Sequence, residues 1–321
     1  MIRNLFIDKL KGMAIILVVY GHCLQFCAKY NILNTKLFQL IYAFHMPFFM
    51  AVSGYLYYQS VNRRSFNDLI SSRIKQLLIP FLIWSLFFLV VFRWQVSHTI
   101  IQWIKNYIYN LPSFFWFIWS LLISSILTII INKFFKDSLI ACFLVFFLVL
   151  LLPNGLVFYF TKFMLPYFFA GYLVHKFVLK TNTIISLSAL IIFTAAMYFW
   201  KDEYYIYTTL MATKLTDIQG IYDDCYRYLA GFTGIIVFIF VVKMLPDFKL
   251  FEVLGRNTLG VYFISSFLNP YLYLFGLHYD PFFYNFIYTP FVTIVVIAVC
   301  LVLSKLINQN KRLNQYLLGG R

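Results

Sequence analysis

Long apolar segments separated by short polar stretches run through the whole chain. Ten such segments are recognisable, and they cover residues 12–28, 37–58, 77–95, 112–132, 138–152, 157–178, 183–200, 228–245, 258–276 and 286–307. Apolar runs of about 20 residues with few charges are typical of helices that cross a lipid bilayer. The pattern predicts an all-α polytopic membrane protein with about ten transmembrane helices, in which the fifth and sixth segments are the weakest.

The composition agrees with a membrane protein. Of 321 residues, 62% are hydrophobic, 22% are aromatic and only 12% are charged, which is too little charge to cover a soluble domain of this length. The first apolar segment contains His22 and has no small-residue cleavage site after it, so we expect no cleaved signal peptide. We expect a single integral-membrane domain over residues 1–321, without an appended extramembrane domain.

The net charge of +15 predicts an orientation. Lys and Arg accumulate in the cytoplasmic loops of membrane proteins. Ten helices place both termini on one side, and eighteen of the 26 Lys and Arg residues then fall on that side, against eight on the other. This bias predicts an N-in/C-in protein, and it explains the positive charge without a nucleic-acid partner.

The five cysteines do not suggest a disulfide framework, because all but Cys225 lie within apolar segments. Cys23 and Cys27 are four residues apart and follow His22 closely enough to raise a metal site as an alternative. Small thiols that pack as apolar side chains are the favoured interpretation. We therefore expect no metal.

The longest predicted external loop, residues 201–227, carries five acidic residues and several tyrosines. It is too long for a bare connection, so it is a candidate cap over the outer mouth of a site. The favoured alternative is a solvated loop with a short interfacial helix around "YYIYTTLMAT", because tyrosines favour the headgroup level.

Two histidines occur where the pattern predicts hydrocarbon. His22 follows Lys11 by eleven residues, or about 16 Å along a helix. His45 lies about eight residues into the second segment, at a comparable depth. The short connection 29–36 makes the first two helices antiparallel neighbours, so we expect both imidazoles to face one cavity.

Histidine suits such a place because the neutral ring is cheaper to bury than a permanent charge. Its reference pKa of about 6.5 also lets it take and return a proton near neutral pH. An intramembrane ionisable residue is a functional hypothesis by default. Hydrogen bonding between helices is the alternative, but two histidines at matching depth favour function.

The second segment and the stretch after it add two features. Pro47 frees a backbone carbonyl in its own helix, and the pair Ser53-Gly54 permits a close backbone approach or a break in the helix. Such interruptions are tolerated around a cavity. Residues 62–80, on the predicted cytoplasmic side, contain a basic cluster suited to binding phosphates, formed by Arg63, Arg64, Arg73 and Lys75. The cytoplasmic accumulation of positive charge explains this cluster equally well.

The chain resembles the acyltransferase-3 family of integral-membrane O-acyltransferases. That family's first helix carries Arg or Lys, ten residues and then His, matched by Lys11 and His22. Its second helix is similar to "FHMPFFMAVSGY", matched by Phe44, His45, Pro47, Phe49, Ser53, Gly54 and Tyr55. Looser similarities are "FFWFIW" around Trp116, "LPYFFAGYLV" at 165–174 and "LGRNTLGVYFIS" at 254–265.

The resemblance implies transfer of an acyl group, most often acetyl, to a hydroxyl that usually belongs to a cell-surface glycan. It implies that His22 is essential, that Lys11 supports it and that acetyl-CoA is the donor. One departure is that the Arg-x-x-Arg of some members is Arg73-Ile-Lys-Gln76 here, so Lys75 is the candidate substitute.

The hypothesis that follows places the protein in the bacterial inner (cytoplasmic) membrane. CoA phosphates would bind Lys11 and the basic cluster, and the pantetheine arm would extend along the first helix. His22 would act as general base on the acceptor hydroxyl or carry the acyl group itself, with His45 orienting it or supplying a second proton step. Candidates for the acceptor pocket are Trp116, Arg227, Asn257 and Tyr262, although interfacial anchoring explains Trp116 equally well.

The expected partners are a glycan or another hydroxyl compound and the lipid bilayer, and the sequence leaves a homodimer open. A transporter or flippase for a lipid-linked sugar is the alternative function. Coupled transport normally places carboxylates inside the spans, whereas the predicted spans contain almost no Asp or Glu. This favours the enzyme, and a purely structural protein would not explain two buried histidines.

Overall fold

A computed structural model describes residues 4–93, 99–111, 114–155, 158–209, 211–212, 216–276 and 280–320. These residues form helices joined by turns and short loops, with no β-strand among them. The α-helices of the described chain are α1 Leu5–Phe26, α2 Lys36–Val61, α3 Phe66–Arg73, α4 Ile79–Arg93, α5 Ile100–Asn110, α6 Trp116–Phe135, α7 Leu139–Leu151, α8 Tyr159–Lys176, α9 Thr183–Tyr198, α10 Ile218–Met244, α11 Lys249–Arg256, α12 Thr258–Leu272, α13 Pro281–Phe283, α14 Thr289–Gln309 and α15 Lys311–Leu318.

Each of the ten predicted segments overlaps a helix. Five helical stretches of the described chain are long and apolar enough to cross a membrane, namely Lys36–Val61, Phe66–Val91, Trp116–Phe135, Ile218–Met244 and Pro281–Gln309. The long stretches at Phe66 and Pro281 are continuous because π-helical turns, Ile74–Leu78 and Tyr284–Tyr288, join α3 to α4 and α13 to α14. The chain is therefore a multi-pass helical membrane protein.

The total of ten spans and the N-in/C-in orientation stay predictions. The 13 residues of α7 extend about 20 Å, less than a hydrocarbon core of about 30 Å. Arg3, Lys214 and Arg321, which entered the charge count, lie outside the described residues, as does the side chain of Arg93.

The chain divides into two compact units. The first unit contains residues 1–52 and 178–305, and the second contains residues 53–177 and 306–321. The first therefore carries Lys11, His22 and His45, and the second carries the predicted basic cluster.

In the first unit, α1 packs against α11 at two glycines. A Cβ atom on Gly12 would lie 1.9 Å from the carbonyl oxygen of Phe251, and a Cβ atom on Gly255 would lie 1.8 Å from that of Asp8. The two backbones approach this closely only because neither glycine has a side chain. Lys9 adds a salt bridge to Asp247 at 2.7 Å.

The rest of the first unit holds the other end of α1. The Cys27 thiol donates to the carbonyl oxygen of Leu272 in α12 at 3.5 Å, and the buried Tyr284 hydroxyl donates to that of Leu24 at 3.0 Å. α9 and α10 pack side by side, and the Tyr226 hydroxyl donates to the carbonyl oxygen of Ala196 at 2.7 Å. α1 is thus fixed at both of its ends.

In the second unit, the packing around Gly54 explains why the second-helix motif has a small residue at this position. A Cβ atom on Gly54 would lie 2.0 Å from the carbonyl oxygen of Phe168 in α8. The predicted close backbone approach is therefore confirmed, and α2 continues without a break through both Pro47 and Gly54. The fully buried Lys162 donates to the carbonyl oxygen of Leu150 at 3.0 Å, near the carboxyl end of α7.

The predicted loop 201–227 is wrong in its second half. α10 begins at Ile218, because Asp217 caps it by accepting a hydrogen bond from the Gly220 N–H at 3.0 Å. Asp223 and Asp224 are consequently buried helical residues. The interfacial helix suggested around residues 204–213 does not form in the described part of that stretch, which consists of turns and a short 3₁₀ segment, Asp202–Tyr204.

We predict that Gly255→Ala destabilises the protein, although helix propensity alone favours alanine by about 1 kcal/mol. The new Cβ atom meets backbone of α1, which has to shift, and such overpacking costs about 1–3 kcal/mol. Thermal unfolding of the purified protein in detergent measures the effect. Gly155→Ala is the control, because nothing lies within 4 Å of its Cβ position. Equal melting temperatures for both variants would contradict the close packing of α1 on α11.

Candidate active site

Lys11 and His22 lie on one face of α1. The helix is continuous from Leu5 to Phe26, and eleven residues make just over three whole turns, or about 16 Å. The spacing of the sequence motif therefore aligns the two side chains along the helix.

His22 has a ring nitrogen without a hydrogen-bond partner in the protein interior. Its side chain is half-buried, and its Nδ1 atom is buried without a hydrogen-bond partner. The Phe26 ring lies edge-on to the imidazole, with 6.1 Å between the ring centroids. A buried polar atom without a partner is costly, and a bound polar group would remove that cost.

His45 is held in one tautomer. Its buried Nδ1 atom lies 2.7 Å from the carbonyl oxygen of Ile41, one turn earlier in α2. A carbonyl oxygen only accepts hydrogen bonds, so Nδ1 carries the proton and Nε2 of the neutral ring carries the lone pair.

The two histidines belong to one contact between α1 and α2. A Cβ atom on Gly21, next to His22, would lie 2.9 Å from the Tyr42 ring, and that ring lies edge-on to His45 at 4.8 Å between centroids. The structure thus brings His22 and His45 together.

Lys11 belongs to a charged group at the start of α1. Its Nζ atom lies 3.9 Å from the carboxylate of Asp8, and the Arg256 Nε atom lies 3.9 Å from the other oxygen of that carboxylate. Arg256 also pairs with Glu252 at 3.5 Å. Asp8 was missed in the sequence, because its burial depends on the packing of α11 against α1.

The basic cluster of the second unit surrounds α3. Arg63, Arg64 and Lys75 are exposed, and the Arg64 Nη1 atom lies 3.5 Å from the Ser72 hydroxyl. The half-buried Arg73 guanidinium lies over the Tyr57 ring, 4.2 Å from its centroid. Three of the four side chains thus present their charge to solvent.

Three of the predicted acceptor residues each lie within one unit. Trp116, in the second unit, stacks on Phe160 with 4.4 Å between ring centroids. In the first unit, Asn257 joins α11 to α12 and donates from Nδ2 to the carbonyl oxygen of Val253 at 2.8 Å. Tyr262 is a buried residue of α12.

Arg227, the fourth, ties a loop to α10. Its buried guanidinium pairs with Asp224 at 2.9 Å. Its Nη2 atom donates to the carbonyl oxygens of Glu203 at 2.6 Å and Thr209 at 3.1 Å. These contacts hold the loop in place, and a direct role of Arg227 in substrate binding stays a prediction.

Tyr42 and Gln25 are neighbours of the histidines that the sequence interpretation missed. The Tyr42 hydroxyl donates to the Gln25 Oε1 atom at 2.8 Å. Tyr42 precedes His45 by three residues of one helix, and residues at this spacing lie on the same helix face. This spacing is the sequence signal that could have identified Tyr42. Gln25 gave a similar signal, because it follows His22 by three residues.

In the part of the chain that the structure describes, no group of three or more His, Cys, Asp and Glu side chains is placed to hold a metal ion. All five cysteines are free thiols, and four of them are buried.

Residues 4–305 match the family described as acyltransferase domain. The chain belongs to this acyltransferase-3 family, and the resemblance seen in its motifs is confirmed. The protein is therefore a multi-pass membrane member of this family.

Two curated relatives are nodulation proteins NolL. The one from Sinorhizobium fredii (strain NBRC 101917 / NGR234) is 38% identical over 131 residues, which cover 39% of this chain and 36% of the relative. The one from Mesorhizobium japonicum (strain LMG 29417 / CECT 9101 / MAFF 303099) is 34% identical over 147 residues, which cover 43% and 38%. The chain thus matches less than two fifths of either relative's length. No solved structure matches this chain.

Proposed function

We propose that this protein is an O-acyltransferase that moves an acetyl group from acetyl-CoA to a hydroxyl of a cell-surface or lipid-linked glycan. The observation that carries the proposal is the half-buried His22, with its unpartnered Nδ1 atom, beside His45 in a chain of the acyltransferase-3 family. We also propose ten spans with both termini in the cytoplasm of a bacterium, in its inner membrane.

His22 is the general base of the proposed reaction. It takes the proton from the acceptor hydroxyl while the oxygen attacks the thioester carbonyl carbon. A carbon–oxygen bond forms, the carbon–sulfur bond breaks, and the CoA thiolate leaves with the electron pair and takes up a proton. A positioned base of this kind contributes about 10²–10⁴ in rate.

His45 orients the reacting groups in this proposal. The Nδ1–H group of His45 donates a hydrogen bond to the carbonyl oxygen of Ile41, so the neutral ring offers only an acceptor at Nε2. It is therefore suited to receive a hydrogen bond from the acceptor or from His22, and not to donate a proton in the resting state. This tautomer supports the orienting role over the second proton step.

The donor's phosphates bind basic side chains in this proposal. Arg63, Arg64 and Lys75 are exposed, so they meet a water-soluble ligand without unfolding any part of the chain. Arg forms bidentate hydrogen bonds to phosphate oxygens, which makes it well suited to such a ligand. Lys11 supports His22 from the same face of α1, and Trp116, Asn257 and Tyr262 remain candidates for acceptor contacts.

We predict that His22→Ala lowers acetyl transfer by about 10²–10⁴-fold, because it removes the proposed base. Membranes that contain the variant are incubated with acetyl-labelled CoA, and label in the glycan fraction is measured. His175→Asn is the control, since this half-buried histidine of the second unit contacts Gln59 and has no proposed role in transfer.

Acetyl transfer at the wild-type rate by a correctly inserted His22→Ala protein would contradict this mechanism. Uptake of a labelled lipid-linked sugar by wild-type vesicles, with no acetyl label in the glycan, would instead support the transporter.

We predict that the double variant Arg63→Ala with Arg64→Ala raises the KM for acetyl-CoA by about tenfold, since two exposed ion pairs of about 0.7 kcal/mol each amount to about 1.4 kcal/mol. The KM for the acceptor stays unchanged, and the defect grows smaller at high salt because screening weakens wild-type binding. Initial rates at varied acetyl-CoA concentration measure it.

Lys249→Ala is the matched control, because Lys249 is exposed and basic but lies outside the proposed set. An unchanged KM for acetyl-CoA in the double variant would show that Arg63 and Arg64 only set the orientation of the protein in the membrane.

A further inference from the structure

A run of aromatic rings leads from the surface of the first unit to His45. Tyr207, in the loop before α10, is 49% exposed. Its ring centroid lies 6.1 Å from that of Tyr42, and the Tyr42 ring lies 4.8 Å from that of His45. Tyr42 itself is half-buried, so one exposed ring and one partly exposed ring precede the histidine.

The loop that carries Tyr207 is fixed from beneath. Tyr205 is buried, packs on Phe38 at 5.7 Å between ring centroids, and donates its hydroxyl to the carbonyl oxygen of Leu33 at 2.9 Å. Burial raises the pKa of the Tyr205 hydroxyl, so it stays a hydrogen-bond donor at neutral pH.

Arg227 and Asp224 hold the loop on both sides of Tyr207. The Arg227 Nη2 atom binds the carbonyl oxygens of Glu203 and Thr209, and Asp224 accepts from the Ala212 N–H at 2.8 Å. The Asp224–Arg227 pair is therefore a loop anchor, whose backbone partners lie before and after Tyr207. A surface held in its binding conformation loses little entropy when a ligand arrives.

The side chains along this run present both aromatic faces and hydrogen-bonding groups. The Tyr207 and Tyr42 rings offer apolar faces, and Gln25 is exposed with its Oε1 atom bonded to the Tyr42 hydroxyl at 2.8 Å. A sugar ring has the matching pattern, with C–H groups on its faces and hydroxyls around its edge. Ligand sites combine apolar walls with a few placed polar groups in this way.

Anchoring at the membrane interface also places tyrosines at helix ends. It requires only that a ring lies at the headgroup level. It does not require a buried ion pair that fixes the backbone around Tyr207, nor a neighbouring ring in contact with His45. The combination of fixed loop, exposed ring and histidine favours a binding site.

We propose that Tyr207, Tyr42 and Gln25 bind the sugar ring that carries the accepting hydroxyl, and that Arg227 is a positioning residue for this subsite. The proposal rests on the proposed function, because it places the sugar next to His45 and His22. The subsite belongs to the first unit alone and makes no use of the donor-binding side chains.

The test uses the full-length protein in nanodiscs, with acetyl-CoA as donor and the alkali-deacylated glycolipid fraction of the source cells as acceptor. We predict that Tyr207→Ala raises the acceptor KM by about tenfold, the equivalent of one lost stacking contact. The KM for acetyl-CoA stays within about twofold. Tyr207→Trp restores the acceptor KM, because it keeps an aromatic face. Tyr198→Ala is the control, since this ring is also exposed, at 76%, but is not part of the run.

Arg227→Lys keeps the charge and loses the forked donor. It raises the acceptor KM if Arg227 positions the loop, whereas a merely structural role would lower only the amount of active enzyme and hence the apparent kcat. An unchanged acceptor KM in Tyr207→Ala, or one that rises together with the donor KM, overturns the subsite while wild-type transfer and its loss in His22→Ala still support the enzyme. Absence of transfer by the wild type overturns both proposals.

Discussion

Lipid offers no hydrogen bonds, so each polar atom inside a helical membrane protein needs a partner from the protein or from a ligand. Most of the conspicuous polar groups in this chain meet that requirement. The Tyr284 hydroxyl donates to the carbonyl oxygen of Leu24, Lys162 donates near the end of α7, and Arg227 pairs with Asp224. Several do not, among them the Nδ1 atoms of His22 and His175 and the Oδ1 atom of Asn269, which are buried without a partner. His22 differs from His175 because a second histidine, His45, belongs to the same helix contact. A histidine in this arrangement is suited to a substrate that completes its hydrogen bonding.

The position of His22 depends on how α1 is held. Gly12 and Gly255 let α1 and α11 approach at the level of the backbone, and the salt bridge of Lys9 with Asp247 supports the same end. Gly21 brings α1 against Tyr42 of α2, next to His45. The small residues of these helices therefore determine where the two imidazoles lie.

The apolar pattern was sufficient to locate helices and to identify a multi-pass membrane protein, because burial in lipid imposes the same composition on each span. Five stretches of the described chain are long and apolar enough to cross a membrane. The pattern also identified His22 and His45 as exceptions. The amphipathic helices α5, α11 and α15 were missed, since helices of eight to eleven residues leave no long apolar run. The loop anchor was missed as well. Asp224 looked like a solvated acid, and only its pairing with Arg227 and the Ala212 N–H shows that it is an interior group.

The proposal that His22 faces a water-accessible substrate path is tested by the accessibility of residue 22 to a thiol reagent. His22→Cys is made in a background in which all five native cysteines are replaced, and it is treated with a small water-soluble methanethiosulfonate reagent. Val18→Cys, at a position with 1% exposure, is the matched control. We predict rapid labelling at position 22, slower labelling at position 18, and protection of position 22 by the deacylated glycolipid. Failure of the reagent to label position 22, or labelling that the glycolipid does not slow, would contradict the proposal.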